Sequence, residues 1–378
     1  MFGGGTAVTA VGDRKQRIMG WSGALEDAFA EFRADFDAQE FPLSWNFRSS
    51  PALVEFQHAV ATKLDPSVAV AVSKAAADIT DEPIHIWTFP SEEREAEVIA
   101  DWIAADTASS GRTPANYVLV ARQKVALFED LFRTALSQHG IRLRNDDALV
   151  GKVRLQDLLK DNIGRFFLGI LRLATAGGQP TIWLEISEQM TKVRGVSSSD
   201  EPTSRAAVDE LSTFIRDLRR WLHDASPNAA TARQATGRIR KFVGFNNIRR
   251  GLTNHQRVDE TQRVIDAFET RLSTVADSAG SWREALYEYE SADAVPLMTV
   301  HRSKGLEYHT VFFLGLDGKQ WWAHAKNPEE STATFFVGLS RAAQRTIFTS
   351  CVHRGDRSAI ADFYSILEAA GVEETNWE

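Results

Sequence analysis

The sequence predicts an α/β protein, a parallel-sheet domain interrupted by an all-helical insertion. Three observations carry the prediction. YVLVAR (117–122) reads as a buried strand, IHIWTF (84–89) alternates as a strand should, and VPLMTV (295–300) and VFFLGL (311–316) have strand texture. Helix-period segments alternate with those runs toward both ends of the chain, the order that builds βαβ units. Between them, after Lys152, helix follows helix with no strand texture: 154–174, 182–190, 205–223, 229–242, 256–275 and 281–289.

Each element has a local reason. GTAVTAVG (5–12) reads as a buried strand ending in Gly-Asp, and a chain that opens on a core strand predicts a missing upstream portion. Residues 22–37 read as a helix with Ser22 as cap and Leu25, Phe29, Phe32 and Phe36 at helical spacing. FPLSWN (41–46) reads as a short strand. A helix then starts near Pro51, where a proline fits the first turn, with Leu53, Val54, Phe56 and Val60 inward. After the strand at 84–89, the segment 91–105 opens with Ser91 and acidic residues, which suit the positive amino end of a helix. YVLVAR, a helix over 124–138, Gly140 and the strand IRLRN continue the βαβ series, and the polar stretch 195–204 is a loop among the helices. After the two strands at 295–300 and 311–316 come a helix over 330–343, the strand TIFTS and a closing helix near 358–370. The simplest organisation is an α/β domain interrupted by a helical insertion over about 178–291, which holds most of the basic residues described below.

Bulk composition narrows the class. A length of 378 residues implies about two domains with room for the remnant of a third, and 43% apolar with 25% charged residues is the balance of a globular protein. Cys351 is the only cysteine, which excludes an internal disulfide and a cysteine-built zinc site and fits a reducing, cytoplasmic setting. The amino-terminal residues lack the pattern of a secretory signal, and no stretch approaches the ~18 apolar residues of a membrane span. Net charge is -8, yet residues 212–258 hold ten Lys or Arg against Asp217 and Asp224, a local charge of about +8. Arg238, Arg240 and Lys241 lie within that block, which reads equally as a phosphate-contact surface or as a solvated helical face. Ten Trp is a high count; many will be core residues, and an exposed indole is also a surface for stacking bases.

Several residues carry possible chemistry, each with a plainer reading beside it. Gln16 follows a strand-turn, where a neutral amide senses a phosphate or attacking water, or simply caps the turn. Trp21, before a small-residue pair, is a base-stacking surface or a core residue. Phe47 and Arg48 follow a strand end, where a ring can lie on a nucleobase and a guanidinium can face phosphates, or where both are ordinary loop residues. His301 is a site residue or a satisfied core histidine, and Trp321 with Trp322 in KQWWAHAKN (319–327) is a DNA or partner contact or a packing cluster.

Four segments settle which family the chain resembles. VGDRKQRIMGWSGA (11–24), LSWNFRSSPALVEF (43–56), PLMTVHRSKGLEYHTVFFLGL (296–316) and FFVGLSRAAQRTIFTS (335–350) resemble, in order, motifs III, IV, V and VI of the UvrD/Rep-type superfamily 1 DNA helicases. The resemblance implies a RecA-like, P-loop-NTPase-type sheet domain (2A) over 43–177 and 292–378 and a helical subdomain (2B) over 178–291. Residues 1–42 would be a remnant of the first RecA-like domain. It implies an ATP- and Mg²⁺-dependent motor moving 3′ to 5′ on single-stranded or partially duplex DNA, in repair or defence. Arg48 and Arg341 would be arginine fingers, two rigid always-charged forks on one phosphate. Gln16 would couple γ-phosphate state to DNA grip, Phe47 would lie on adenine, and Glu307 would hydrogen-bond the ribose. Gly305 would allow close backbone approach, while Trp21, Thr299, His301 and Lys304 would face DNA.

The chain departs from the pattern in places. Met19 and Ser22 replace a common Tyr and Arg of motif III, Ser340 replaces Thr in motif VI, and the paired arginines before that motif are missing. Nothing matches G-x-x-x-x-G-K-[ST], and no Asp-Glu strand end precedes residue 11. Residues 1–378 are therefore expected not to hydrolyse ATP alone, with the missing motor half supplied by another chain or an upstream segment. The alternative is a non-catalytic DNA-binding or protein-interaction module derived from a helicase, such as a nuclease partner.

Overall fold

The computed structural model describes residues 7–18, 28–196, 200–252 and 258–378. The chain divides into two compact units, Met1–Asn145 with Asp293–Glu378, and Asp146–Ala292. In chain order the first unit contributes α1 (Ala28–Phe36), β1 (Trp45–Asn46), α2 (Pro51–Leu64), β2 (Val72–Ser73), β3 (Ile84–Phe89), α3 (Glu92–Ser110), β4 (Tyr117–Ala121), α4 (Ala126–Gln138) and β5 (Leu143–Asn145). The second contributes the hairpin of β6 (Leu149–Val150) and β7 (Val153–Arg154), then α5 (Leu155–Lys160), α6 (Asn162–Thr175), α7 (Pro180–Arg194), α8 (Glu201–Asp224), α9 (Ala229–Val243), α10 (Phe245–Gly251), α11 (Val258–Ser278) and α12 (Trp282–Glu290). The chain returns to the first unit with β8 (Val295–Thr299), α13 (Val300–Ser303), β9 (Tyr308–Leu314), α14 (Pro328–Leu339), β10 (Ala342–Cys351), α15 (Ala361–Ala369) and β11 (Glu373–Asn376).

Among the described residues, the first unit holds a seven-stranded sheet of order β11-β3-β10-β9-β4-β8-β5, every neighbouring pair parallel. Side chains alternate along each strand. Val118, Val120, Val311, Phe313 and Phe348 face a core made with α2, α14 and α15, whereas Leu119, Phe312, Leu314 and Ile347 face a core made with α3 and α4. This double cover is why the strands read as continuous apolar runs. Gly338 lets α14 lie on β9, since a Cβ there would meet the Phe313 ring at 2.1 Å. A buried ion cluster locks the layers together. Arg354 donates to both oxygens of Glu95 on α3 (2.7 and 3.0 Å) and to Asp317 after β9 (2.5 Å).

The helical unit has its own apolar core. Phe166, Phe167, Ile170 and Leu171 of α6 pack with Ile186, Leu211, Ile239, Phe268 and Leu286. The helical unit accordingly begins at Asp146, not at 178, because the 154–174 segment buries its apolar face among the later helices. That segment is two helices rather than one, since Asp161 caps α6 by accepting from the backbone of Ile163.

Other expectations are corrected. Residues 7–12 form no strand and are mostly exposed, for no described strand lies beside them to take their hydrogen bonds. The strand expected over 41–46 shrinks to Trp45–Asn46 in a separate two-stranded sheet with β2, and Phe41 and Leu43 are exposed. β11 was not expected, because its four exposed polar residues carry no apolar pattern. Of the helix expected over 22–37, only Ala28–Phe36 is described, and Met19, Trp21 and Ser22 lie outside the described residues. No described helix is long and apolar enough to cross a membrane.

His309 on β9 bridges Asp78 (2.9 Å) and the Thr310 hydroxyl (2.9 Å), and burial pushes its pKa below the usual histidine range. A depressed histidine contributes stability that is present above its ordinary pKa of about 6.5 and is lost as pH falls toward the folded value. Chemical denaturation at pH 7 and pH 5 is expected to show a smaller loss on acidification for His309→Gln than for the parent chain.

Candidate functional site

The Asn46–Ser49 turn is clamped onto the start of β10. The Asn46 side-chain oxygen accepts from the backbone N–H groups of Arg48 and Ser49 (both 2.9 Å), an Asx turn that ends β1 and begins α2. Ser49 Oγ donates to the Ala342 carbonyl (2.7 Å), the Ser50 N–H donates to the Ala343 carbonyl (2.8 Å), and Gln57 Nε2 supports Ser49 Oγ (3.0 Å). So held, Arg48 reaches across to donate Nη1 to the Ser340 carbonyl (2.9 Å) and Nε to Glu307 (3.0 Å). The tasks of Asn46 and Ser49 were missed in the sequence, although Asn-x-Arg-Ser is the spacing an Asx turn uses.

Register brings the second pair together. Tyr308 of β9 lies opposite Ala342 of β10. The preceding residues, Glu307 and Arg341, therefore stand at the same amino-terminal edge of the sheet. Arg341 is 2% exposed and donates Nε to the Val337 carbonyl (3.0 Å), Nη1 to Leu306 (3.4 Å), and Nη2 to Ser340 Oγ (2.6 Å) and Gln16 Oε1 (3.4 Å). All four partners are neutral oxygens. Burial, together with the Arg48 charge, pulls its pKa down to about 10, so it stays cationic at neutral pH. Its direct partners are all neutral, and the Asp13 and Glu307 carboxylates act on it only at longer range and only partly offset burial and the Arg48 charge.

Gln16 ends a short turn (Arg14–Gln16) and also donates Nε2 to Asp13 (3.0 Å). Its backbone carbonyl accepts from Lys304 Nζ (3.0 Å), and the carbonyl of Ile18 accepts from the His301 ring (3.0 Å). Thr299 and α13 precede that contact and Gly305 follows it, at φ +85°, a conformation glycine adopts without strain. The Arg341 guanidinium is therefore one residue removed from the segment carrying Thr299, His301 and Lys304. A cleft of about 530 Å³ opens beside the cluster, lined by Lys15, Gln16, Phe47, Arg48, Glu307 and Ser340 on its polar side and by Leu43, Trp45 and Val68 on its apolar side. Phe47 is 71% exposed and meets Trp45 edge-on at 6.1 Å. Arg341 lies behind Ser340 and Gln16, outside the lining.

The structure brings together Gln16, Arg48, Glu307 and Arg341, with Phe47 on the rim and His301, Lys304 and Gly305 in the adjoining segment. Arg238, Arg240 and Lys241 are exposed on α9 in the helical unit, with Arg238 over the Trp221 ring (4.6 Å) and Arg240 over Phe245 (5.4 Å). Trp21 lies outside the described residues. The residue set suits a polyphosphate, which wants guanidinium, ammonium and amide donors. Among the described residues, no group of three His, Cys, Asp or Glu is placed together as a metal-ligand cluster.

Comparison with known proteins points to one family. DNA helicase II of Escherichia coli (strain K12) is 24% identical over 391 residues, covering 90% of this chain and 52% of that protein. The putative ATP-dependent DNA helicase YjcD of Bacillus subtilis (strain 168) is 22% identical over 392 residues, covering 95% and 50%. ATP-dependent DNA helicase Rep of Buchnera aphidicola is 36% identical over 95 residues, 24% of this chain and 15% of that protein. The chain thus spans about half the length of the longest-matching curated relatives. The profile of the UvrD-like helicase C-terminal domain matches residues 152–353, and the chain belongs to that family of DNA helicases.

Proposed function

We propose that the chain supplies the second half of the nucleotide site of an ATP-dependent DNA helicase that moves 3′ to 5′ on single-stranded DNA. Arg48 and Arg341 act on the γ-phosphoryl group, Glu307 takes the ribose, and Phe47 covers the base. The phosphate-binding loop and the magnesium ligands come from polypeptide outside this sequence, so the chain is silent alone. Residues 1–42 belong with that other half, the sheet unit is 2A, and the helical unit is 2B. One observation supports the reading above others. Gln16 touches Arg341 with its side chain and Lys304 with its backbone, so a change in phosphate occupancy reaches the Thr299–Lys304 segment directly. The reading places that segment on DNA. Joining the chain behind a Walker-loop domain of a family member tests this. The fusion is expected to hydrolyse ATP in a DNA-stimulated manner while residues 1–378 alone do not. Turnover by residues 1–378 alone, or a silent fusion that is folded, would count against it.

The exposed α9 face is assigned to phosphate contact. Neutralising Arg238, Arg240 and Lys241 with glutamine is expected to weaken DNA binding. It should also flatten the slope of log affinity against log salt by about two units, at roughly 0.7–0.9 per lost contact. Titration by fluorescence anisotropy at four salt concentrations measures it, and an unchanged slope would return these residues to a solvated face.

A further inference from the structure

We propose that Trp322 is a base-stacking contact for single-stranded DNA, held out on a rigid loop at the carboxyl edge of the sheet. The inference rests on the reading of the chain as part of a DNA motor and adds a contact to it. Register sets the location. Leu314 of β9 pairs with Ala121 of β4, which pairs with Thr299 of β8. The segments that follow these residues leave the sheet side by side: the 315–327 loop, Arg122 with Gln123, and the Thr299–Lys304 segment. Open parallel sheets bind ligands outside the carboxyl ends of their strands.

The loop is pinned at every turn but one. Trp321 is fully buried and donates its indole N–H to the Gly315 carbonyl (3.1 Å). Asp317 pairs with Arg354 (2.5 Å), and His324 pairs with Asp362 (2.9 Å). Gln320, 2% exposed, accepts from Arg122 (3.2 Å) and from both the side chain and the backbone of Gln123 (3.0 and 3.3 Å). Against this frame Trp322 is 58% exposed, with the Lys326 ammonium 5.8 Å from its ring centre. Lys319 and Lys326 are both exposed, and the nearby Glu329 is paired with Arg17 (3.4 Å).

An indole left in water on a loop this well fixed gains nothing for the fold. Its neighbour already supplies the packing. What the arrangement does offer is a preordered aromatic plane with the Lys326 ammonium beside it. A nucleobase stacks on such a plane whatever its identity, and Lys326 meets a flanking phosphate. The two tryptophans thus divide the work, one anchoring the loop and the other presenting its ring.

The test uses the whole chain and two probes, a fluorescein-labelled oligothymidylate followed by anisotropy and the same oligomer carrying one 2-aminopurine. Trp322→Ala is expected to weaken binding about tenfold, the scale of one lost stack. It should leave the salt slope unchanged, because stacking releases no counterions. Quenching of 2-aminopurine should be lost with alanine and largely retained with Trp322→Phe. The melting temperature should not move, since the ring is exposed. Parent binding with equal affinity and equal quenching in Trp322→Ala would overturn the inference and leave the DNA reading intact. Weaker binding with a flatter salt slope and undiminished quenching would make the residue a support for phosphate contacts and overturn it too. A parent chain that binds neither probe would remove the DNA reading and this inference together.

Discussion

Alanine at Arg341, or at Arg48, is expected to lower ATP turnover by roughly 10³-fold or more in the chain fused to a Walker-loop domain, the scale on which an arginine finger acts. The reason is electrostatic. Charge develops on the transferring phosphoryl group, and a desolvated guanidinium fixed in advance stabilises it without reorganisation. Arg341 meets that description through its burial, its four neutral hydrogen-bond partners and its depressed pKa of about 10. Arg48 differs in kind. It is partly exposed and already paired with Glu307 (3.0 Å), so the proposed role requires it to exchange a carboxylate for a phosphate. Arg341→Lys is expected to rescue little, because an ammonium cannot reproduce the fork that reaches Ser340 and Gln16. Melting temperature separates lost chemistry from lost structure, since Arg341 also ties down the carboxyl end of α14 through the Val337 carbonyl. Near-parental turnover in a folded Arg341→Ala fusion would deny the residue its role.

The second large effect is on stability. Arg354→Met is expected to destabilise the α/β unit by about 3–5 kcal/mol, read as a fall in the denaturant midpoint. Glu95 and Asp317 are both fully buried, and Arg354 is the cation that satisfies them. Their carboxylates hold its pKa above the usual arginine range despite its burial. Remove the cation and two carboxylates remain in a dry interior, a large loss against the ~5–15 kcal/mol of a typical domain. The sign of the pH dependence identifies the cause. Unpaired buried carboxylates bind protons more tightly folded than unfolded, so the variant should regain stability as pH falls toward 5. A variant that loses stability in parallel with the parent on acidification would point to lost packing against Phe128 instead.

What could be read from the residue string follows from how local each feature is. β4 and β9 were legible because a parallel strand covered on both faces is apolar, as 117–121 and 311–314 are, and β3 because IHIWTF alternates, with His85 and Thr88 half-buried between buried apolar residues. The same texture misled at 5–12, since a strand also needs a partner, and partners are not written in the segment itself. Asn46–Ser49 shows the converse. Its aromatic and arginine stood out, while the quiet asparagine and serine that aim them did not. The candidate site was legible as four strings but not as one place. Glu307 and Arg341 become neighbours only because β9 and β10 run parallel with Tyr308 opposite Ala342, a fact of register that no single segment contains. The Trp-Trp pair gave no hint which ring would be buried, for that depends on Gly315 offering its carbonyl to Trp321. The start of the helical unit was misplaced for a related reason. α6 reads the same whether it lies against a sheet or among helices, and only its neighbours Ile186 and Phe268 decide.

The central claim is that Arg48 and Arg341 serve a single phosphoryl group rather than two surfaces. A double-mutant cycle on turnover of the Walker-loop fusion addresses it most directly, with Arg48→Ala, Arg341→Ala and the pair compared under saturating DNA. Groups acting as a unit are strongly non-additive, so the pair should be little slower than the worse single variant. Losses that multiply in full would mean independent action and would contradict a shared nucleotide site.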